Sequence, residues 1–400
     1  MTPQPASALQ VRQVVLAGLL TMAVVMGVGR FAFTPILPAM RDEFGLSATA
    51  LGAMASANYL GYMLGALVCA LPALHRWRRT VIRGGLLLVI VVTAGMAFTT
   101  AMPLWLLLRF VAGLASAGVF VFASAAIVGW FVQQRRPELF GLFFSGVGLG
   151  IASSGVVVLL MQRFAGGQAW RLEWLAAATL AALLATPCLR WLPPETIPVA
   201  STQAAADARP LVSLPLVLLA VSYFLGGVGY IVAGTFIVAI VGAVPGLQDL
   251  GAGSWILVGL AATPSTPLWT RVAGRIGNMR SLGICYLLMA CSLLLPGLLA
   301  QPAAALASTL LFGATFIGFG ALTVAEAQVL APPRQVARTI ALLTVIFGLG
   351  QVAGPLVAAS LAGPAGDFRS SLIMAGLVVL VASLCALVSA FGPGRRRAIG

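Results

Sequence analysis

Twelve apolar stretches, each long enough to cross a bilayer, limit what this chain can fold into more than any motif within it. The hydrocarbon core of a membrane takes about 20 apolar residues of helix. Stretches of that kind run over residues 14–40, 50–74, 84–101, 104–132, 140–161, 172–192, 213–243, 254–270, 281–300, 302–330, 338–362 and 371–391. Backbone groups within lipid must bond internally, so the stretches read as helices. The composition agrees: 60% of the residues are hydrophobic and 8% are charged, whereas a soluble domain carries about 25% charge.

The second constraint is a repeat at a spacing of 200 residues. Gly27-Val28-Gly29 returns as Gly227-Val228-Gly229, and Gly148-Leu149-Gly150 returns as Gly348-Leu349-Gly350. Two similar sets of membrane helices in one chain meet at a pseudo-symmetry axis, where solute sites of repeat-built membrane proteins form. The fold expected is all-α: twelve transmembrane helices in two pseudo-symmetric six-helix bundles. Residues 1–192 form the N-terminal bundle and 213–400 the C-terminal one. Residues 193–212, rich in proline, alanine and polar residues, form a cytoplasmic linker.

A net charge of +14 would suggest nucleic acid as the partner of a soluble protein. Here the placement of charge argues for a bilayer instead. With a cytoplasmic N-terminus, seventeen arginines fall on the inner side and four (Arg41, Arg163, Arg171, Arg369) on the outer side. That asymmetry predicts a multi-pass protein of the inner membrane with both termini in the cytoplasm. The five cysteines show no CxxC spacing and no ligand cluster, so no metal or other cofactor is expected.

Few polar residues stand within the stretches. Arg30 lies in the run Val24-Val25-Met26-Gly27-Val28-Gly29-Arg30-Phe31, about 15 Å of helix from Met40. A charge at that depth costs about 2.5–3.5 kcal/mol on insertion scales and usually faces a cavity or a partner. Its repeat position holds Tyr230. Asn58 and Tyr59, with Tyr62 one turn on, lie about 13 Å below the outer rim, and Arg109, which opens a stripe with Gly113, Ser116 and Phe120, lies about 9 Å from the outer loop, within reach of snorkelling. Arg30, Asn58, Tyr59, Arg109 and Tyr230 are the candidate substrate-binding residues, for an anionic or strongly polar ligand. Structural bonding between helices is the alternative reading for each. Glu326 reads as the one carboxylate well inside a stretch, with Arg338 placed to pair with it. These two and Arg109 are the candidates for proton coupling or gating. Pro35, Pro38, Pro264, Pro267 and Pro355 are positioned to kink their helices.

These residues resemble the major facilitator superfamily, and within it the bacterial YbfB/YjiJ-type group. The stretches that carry the likeness are Gly27 to Phe31 and on to Pro38, Asn58-Tyr59-Leu60-Gly61-Tyr62, Ser145 to Ile151, and Phe347-Gly348-Leu349-Gly350-Gln351. Arg109-Phe110-Val111-Ala112-Gly113 looks like the superfamily's fourth-helix motif, whose arginine the resemblance ties to proton coupling. Two departures stand out. Gly274-Arg275-Ile276-Gly277 has glycine where the cytoplasmic-loop motif carries an acid, and Ser154-Gly155 stands where drug antiporters carry Gly-Pro. The resemblance implies the major facilitator fold and secondary transport of a small solute, with protons as the coupling ion and a monomer as the working unit. Efflux of amphipathic compounds is the neighbouring alternative, and a non-transporting sensor is one of a different class. An enzyme is not expected, because the stretches offer no acid–base pair or metal cluster.

Overall fold

The computed structural model describes residues 6–136, 138–164, 169–193, 213–332, 335–363 and 367–391. All but the first residue of the expected linker, 193–212, therefore lies outside the described residues. The described chain is helical throughout. In order it forms α1 (Ala8–Met22), a π-helical turn (Ala23–Val28), α2 (Phe33–Phe44), α3 (Ala48–Cys69), the short α4 (Pro72–His75), α5 (Arg78–Gly95), α6 (Met102–Gln133), α7 (Leu139–Phe164) and α8 (Ala169–Trp191). The second half holds α9 (Leu214–Gly242), α10 (Gly251–Ala262), α11 (Ser265–Ile276), α12 (Asn278–Leu298), α13 (Pro302–Phe316), α14 (Gly318–Leu330), α15 (Val336–Leu361) and α16 (Arg369–Phe391).

Local chemistry sets the helix ends. Ser7, Ser47 and Ser213 accept bonds from backbone N–H groups in the first turns of α1, α3 and α9, which would otherwise lack partners. Pro302 opens α13, where a missing N–H costs nothing. Gly45 ends α2 in the left-handed conformation, φ 59°. Large apolar side chains such as Leu87, Val91, Leu183, Leu377 and Val388 cover the outer surface, as contact with lipid tails requires.

Among the described residues, eleven helical segments are long and apolar enough to span a membrane, counting Ala8–Phe44 and Pro302–Leu330 as single segments. The twelfth expected stretch, 254–270, is divided between α10 and α11. Proline chemistry explains the division. Pro264 sits at the junction, and Pro267 has no N–H to offer the carbonyl of Thr263 four residues earlier. The Ser145 hydroxyl donates to that carbonyl instead, at 2.7 Å, and so ties α7 to the hinge.

The 200-residue repeat is visible in the packing. A Cβ on Gly27 would overlap the backbone of Gly150, and one on Gly350 would lie 3.3 Å from Gly227. The same glycine pair thus seats α7 against the π-turn and α15 against α9. Contacts between the halves repeat too. A Cβ on Gly52 of α3 would lie 2.7 Å from the Pro355 carbonyl of α15, and one on Gly155 of α7 would lie 3.4 Å from the Ala252 carbonyl of α10. Small residues at such crossings let backbones approach closely, which is how membrane helices associate without a hydrophobic driving force.

Two strips, one from each half, are closed to solvent along their whole length. Every residue from Gly27 to Leu37 and from Gly226 to Val238 is buried. There the Thr34 hydroxyl donates to the carbonyl of Gly234, its own repeat position. A residue that meets its repeat mate lies on the axis relating the two halves.

Candidate functional site

The first membrane segment does not run through as one α-helix. After α1 it widens into the π-turn, where Gly29 N–H bonds the Val24 carbonyl at 2.9 Å and Phe31 N–H bonds the Met26 carbonyl at 3.2 Å. Such single-turn bulges concentrate at functional sites. Residues 29–32 then form a turn, and α2 begins at Phe33. The reason lies again in backbone bonding. Thr34 N–H turns to the Phe31 carbonyl at 3.2 Å, so the Arg30 carbonyl loses the partner that a regular helix would supply.

Two side chains from neighbouring helices repair this break. Arg109 of α6 donates through Nη2 to the Arg30 carbonyl at 3.3 Å and through Nε to the Met54 carbonyl at 3.5 Å. Its guanidinium also lies 4.6 Å from the centre of the Phe33 ring. Asn58 of α3 donates to the Gly29 carbonyl at 3.3 Å and to the Arg109 carbonyl at 2.9 Å. Both residues are buried. Their polar groups bind carbonyls of helices, so the structure gives them a bracing geometry around residue 30.

Arg30 is placed differently. Its side chain is 3% exposed, yet no carboxylate of the described residues pairs with it. Three rings surround the guanidinium, at 4.0 Å for Tyr62, 5.2 Å for Tyr59 and 5.4 Å for Phe31. Each such contact contributes about 0.5–2 kcal/mol. Its Nη1 makes a long hydrogen bond to the Met26 sulfur at 3.9 Å. Its Nε and Nη2 are buried without any acceptor.

The second half completes the surroundings with aromatic side chains. Tyr230 accepts a hydrogen bond from the Gln351 amide. Its ring is nearly parallel to Phe347 (5.6 Å, 9°) and to Phe316 (6.3 Å, 10°). Tyr223 stacks on the far side of this set, 4.4 Å from Phe347. Phe316 also meets Phe31 edge-on at 5.9 Å, which joins this wall to the rings of the first half. Of the expected substrate-binding residues, Arg30, Asn58, Tyr59, Arg109 and Tyr230 thus gather around one point.

Glu326 and Arg338 do not join them. Glu326 is buried in α14, whereas Arg338 is exposed near the start of α15. A second carboxylate also corrects the sequence reading: Glu173, early in α8, is fully buried. Sequence reasoning missed Gln351, Phe316 and Phe347 as lining residues. For Gln351 a signal existed, since it is a lone amide in the apolar run of α15. Phenylalanines in a membrane segment give none. A separate groove of about 710 Å³ lies between the Gly45 turn and the end of α15, lined by Arg41, Ser47, Leu51 and Phe368 among others. It contains none of the expected site residues. No group of metal-ligating side chains occurs among the described residues.

Comparison with known proteins gives a consistent answer. Residues 22–387 match the family described as uncharacterised MFS-type transporter YbfB. A chloramphenicol resistance protein of Streptomyces lividans is 27% identical over 381 residues, covering 92% of this chain and 94% of the relative. A putative tartrate transporter of Agrobacterium vitis is 24% identical over 392 residues, with 88% of each chain covered. Among solved structures, the xylose transporter XylE of E. coli in its inward-open conformation superimposes with a TM-score of 0.76. It is 16% identical and covers 94% of this chain and 96% of its own.

Proposed function

This chain belongs to the major facilitator superfamily of membrane transporters, and from that premise we propose that it carries a small anionic organic solute across the bacterial inner membrane by alternating access. One observation carries the anionic assignment: a buried guanidinium with two unbonded donors, held at a helix break where the two halves meet. No carboxylate among the described residues neutralises that charge, so a ligand of opposite charge is the partner that its burial calls for.

In this reading Arg30 contacts the solute, while Tyr59 and Tyr230 wall it from the two halves. Arg109 and Asn58 act as positioning residues, because they hold the break that presents Arg30. Residues 1–192 and 213–400 move as bodies about this site, with the Gly27–Leu37 and Gly226–Val238 strips as the closed gate. With both termini in the cytoplasm, as the arginine distribution indicates, that gate faces outward. Protons are the coupling ion proposed, with the buried Glu326 and Glu173 as acceptor candidates. One chain supplies the whole site, so a monomer suffices.

Efflux of amphipathic compounds is the second reading. The name of the chloramphenicol resistance relative supports it, as does the aromatic wall. Charge separates the two readings, since an uncharged amphipath leaves the buried charge of Arg30 without a counter-charge.

The test is a thermal-shift screen of purified protein against organic anions and neutral amphipaths, followed by counterflow of the hits in sealed vesicles. A ligand that binds only the folded state raises its melting point. Arg30→Ala should abolish counterflow of the anion while leaving a cooperative melt. Undiminished counterflow by that variant removes Arg30 from the site. Collapse of uptake by a protonophore is expected if protons drive it.

A further inference from the structure

Resting on that reading, we propose that the solute is an aromatic monocarboxylate, with its carboxylate gripped by the free edge of Arg30 and its ring set between aromatic walls. The first ground is which donors are free. Nε and Nη2 are the two nitrogens that lack acceptors, and together they form one edge of the planar guanidinium. Their N–H bonds run parallel, at the spacing of the two oxygens of a carboxylate, so both can be satisfied at once. A neutral amide or a lone hydroxyl satisfies one donor and leaves the other buried and bare. The opposite nitrogen, Nη1, is the one directed at the Met26 sulfur, which leaves the fork as the open edge.

The second ground is that no second free cation lies here among the described residues. The only other buried guanidinium among them, Arg109, gives its Nε and Nη2 to the Met54 and Arg30 carbonyls and rests on Phe33. One free fork matches one carboxylate. A dicarboxylate would leave its second charge among phenyl rings, without a partner and out of water, at high cost.

The third ground is the lining. Tyr62, Tyr59 and Phe31 crowd Arg30 from the first half. From the second half come Tyr230, Phe316 and Phe347, the planes of the two phenyl rings each within about 10° of that of Tyr230. Near-parallel rings from three helices offer flat faces. A planar ring stacks on such faces or meets them edge-on, and gains beyond its buried area by doing so. A saturated ring or a flexible alkyl chain gains only the area. Tyr230 accepts from Gln351, so its own hydroxyl proton stays available to a ligand oxygen.

Binding is measured by isothermal titration on the full-length protein in detergent, with benzoate, cyclohexanecarboxylate, benzamide and phthalate as probes. Benzoate should bind. Cyclohexanecarboxylate should bind several-fold more weakly, and benzamide and phthalate at least tenfold more weakly. Arg30→Gln should weaken benzoate at least tenfold, equivalent to about 1.4 kcal/mol. Arg30→Lys keeps the charge without the fork and should recover only part of that loss, which separates two-pronged binding from simple charge attraction. A cooperative thermal melt for both variants establishes that they fold. Benzamide or cyclohexanecarboxylate binding as tightly as benzoate, or full recovery by Arg30→Lys, overturns the proposal. Counterflow of labelled benzoate distinguishes it from the reading it rests on. Arg30-dependent binding without flux upholds the ligand class and sinks transport of that ligand. Arg30-dependent flux of another anion, with no benzoate binding, sinks the ligand class alone.

Discussion

The segment around Arg30 and the segment around Tyr230 occupy equivalent places in the two halves, yet they solve their backbone bonding differently. Around Arg30 the helix loosens into a π-turn and a short break, and its carbonyls are taken by side chains of α3 and α6. Around Tyr230 the helix α9 runs unbroken from Leu214 to Gly242, and Gln351 bonds the phenol rather than the backbone. The same Gly-Val-Gly triplet precedes both residues, so the triplet alone does not break a helix. What differs is downstream: Pro35 follows Arg30, while Thr235 stands at the matching place after Tyr230. A near-symmetric frame thereby yields a one-sided site, with a cation on one wall and stacked rings on the other.

The comparison is sharpened first by Arg109→Ala. It strips a donor from each of two buried carbonyls at the break, and each loss costs about 1–3 kcal/mol. Destabilisation of about 3 kcal/mol is expected, read as a lowered melting midpoint in detergent. A midpoint within a degree of the parent would show that the break holds itself. Next in size is the glycine pair. Gly27→Ala pushes a methyl into the Gly150 backbone, which cannot give way, whereas Gly227→Ala meets the Phe347 carbonyl at 2.8 Å. Overpacking of this kind costs about 1–3 kcal/mol. The first substitution should lower the midpoint more than the second, and the reverse order would mean that α9 is the tighter of the two seats. The smallest effect is expected from Tyr230→Phe. It removes one neutral hydrogen bond, worth about 1 kcal/mol, and keeps the ring stack. A loss as large as that of Arg109→Ala would place Tyr230 among the braces.

Much of the architecture could be read before any coordinates. Apolar length gave twelve stretches, eleven of which are spanning segments among the described residues while one is divided, and the 200-residue offset marked glycines that seat helices in both halves. Arg30 stood out because a charge at that depth has few uses. The break itself was hidden, since an apolar run has the same composition whether its backbone turns by 3.6 residues or widens into a π-turn. The directions of the Arg109 and Asn58 side chains were hidden as well. Depth along a helix can be counted, but the face a residue presents depends on neighbours that arrive from elsewhere in the chain. Glu173 gives no signal of burial by count, because it stands one residue into the stretch 172–192, yet it is buried along with Trp170 and Trp174. The twelfth stretch split because Pro264 and Pro267 together leave a carbonyl that only Ser145 could claim.

The bond from Thr34 to the Gly234 carbonyl has a consequence for how such a molecule switches. It joins the two halves at their common axis. In the alternating-access reading proposed above, a state that admits solute from that side parts these atoms, while the opposite state keeps them joined. A single hydroxyl therefore acts as ballast for one end of a seesaw. Thr34→Val, which keeps the shape and removes about 1 kcal/mol of preference, should tilt the resting balance about fivefold toward the other state, visible as altered labelling of cysteines introduced along the strip.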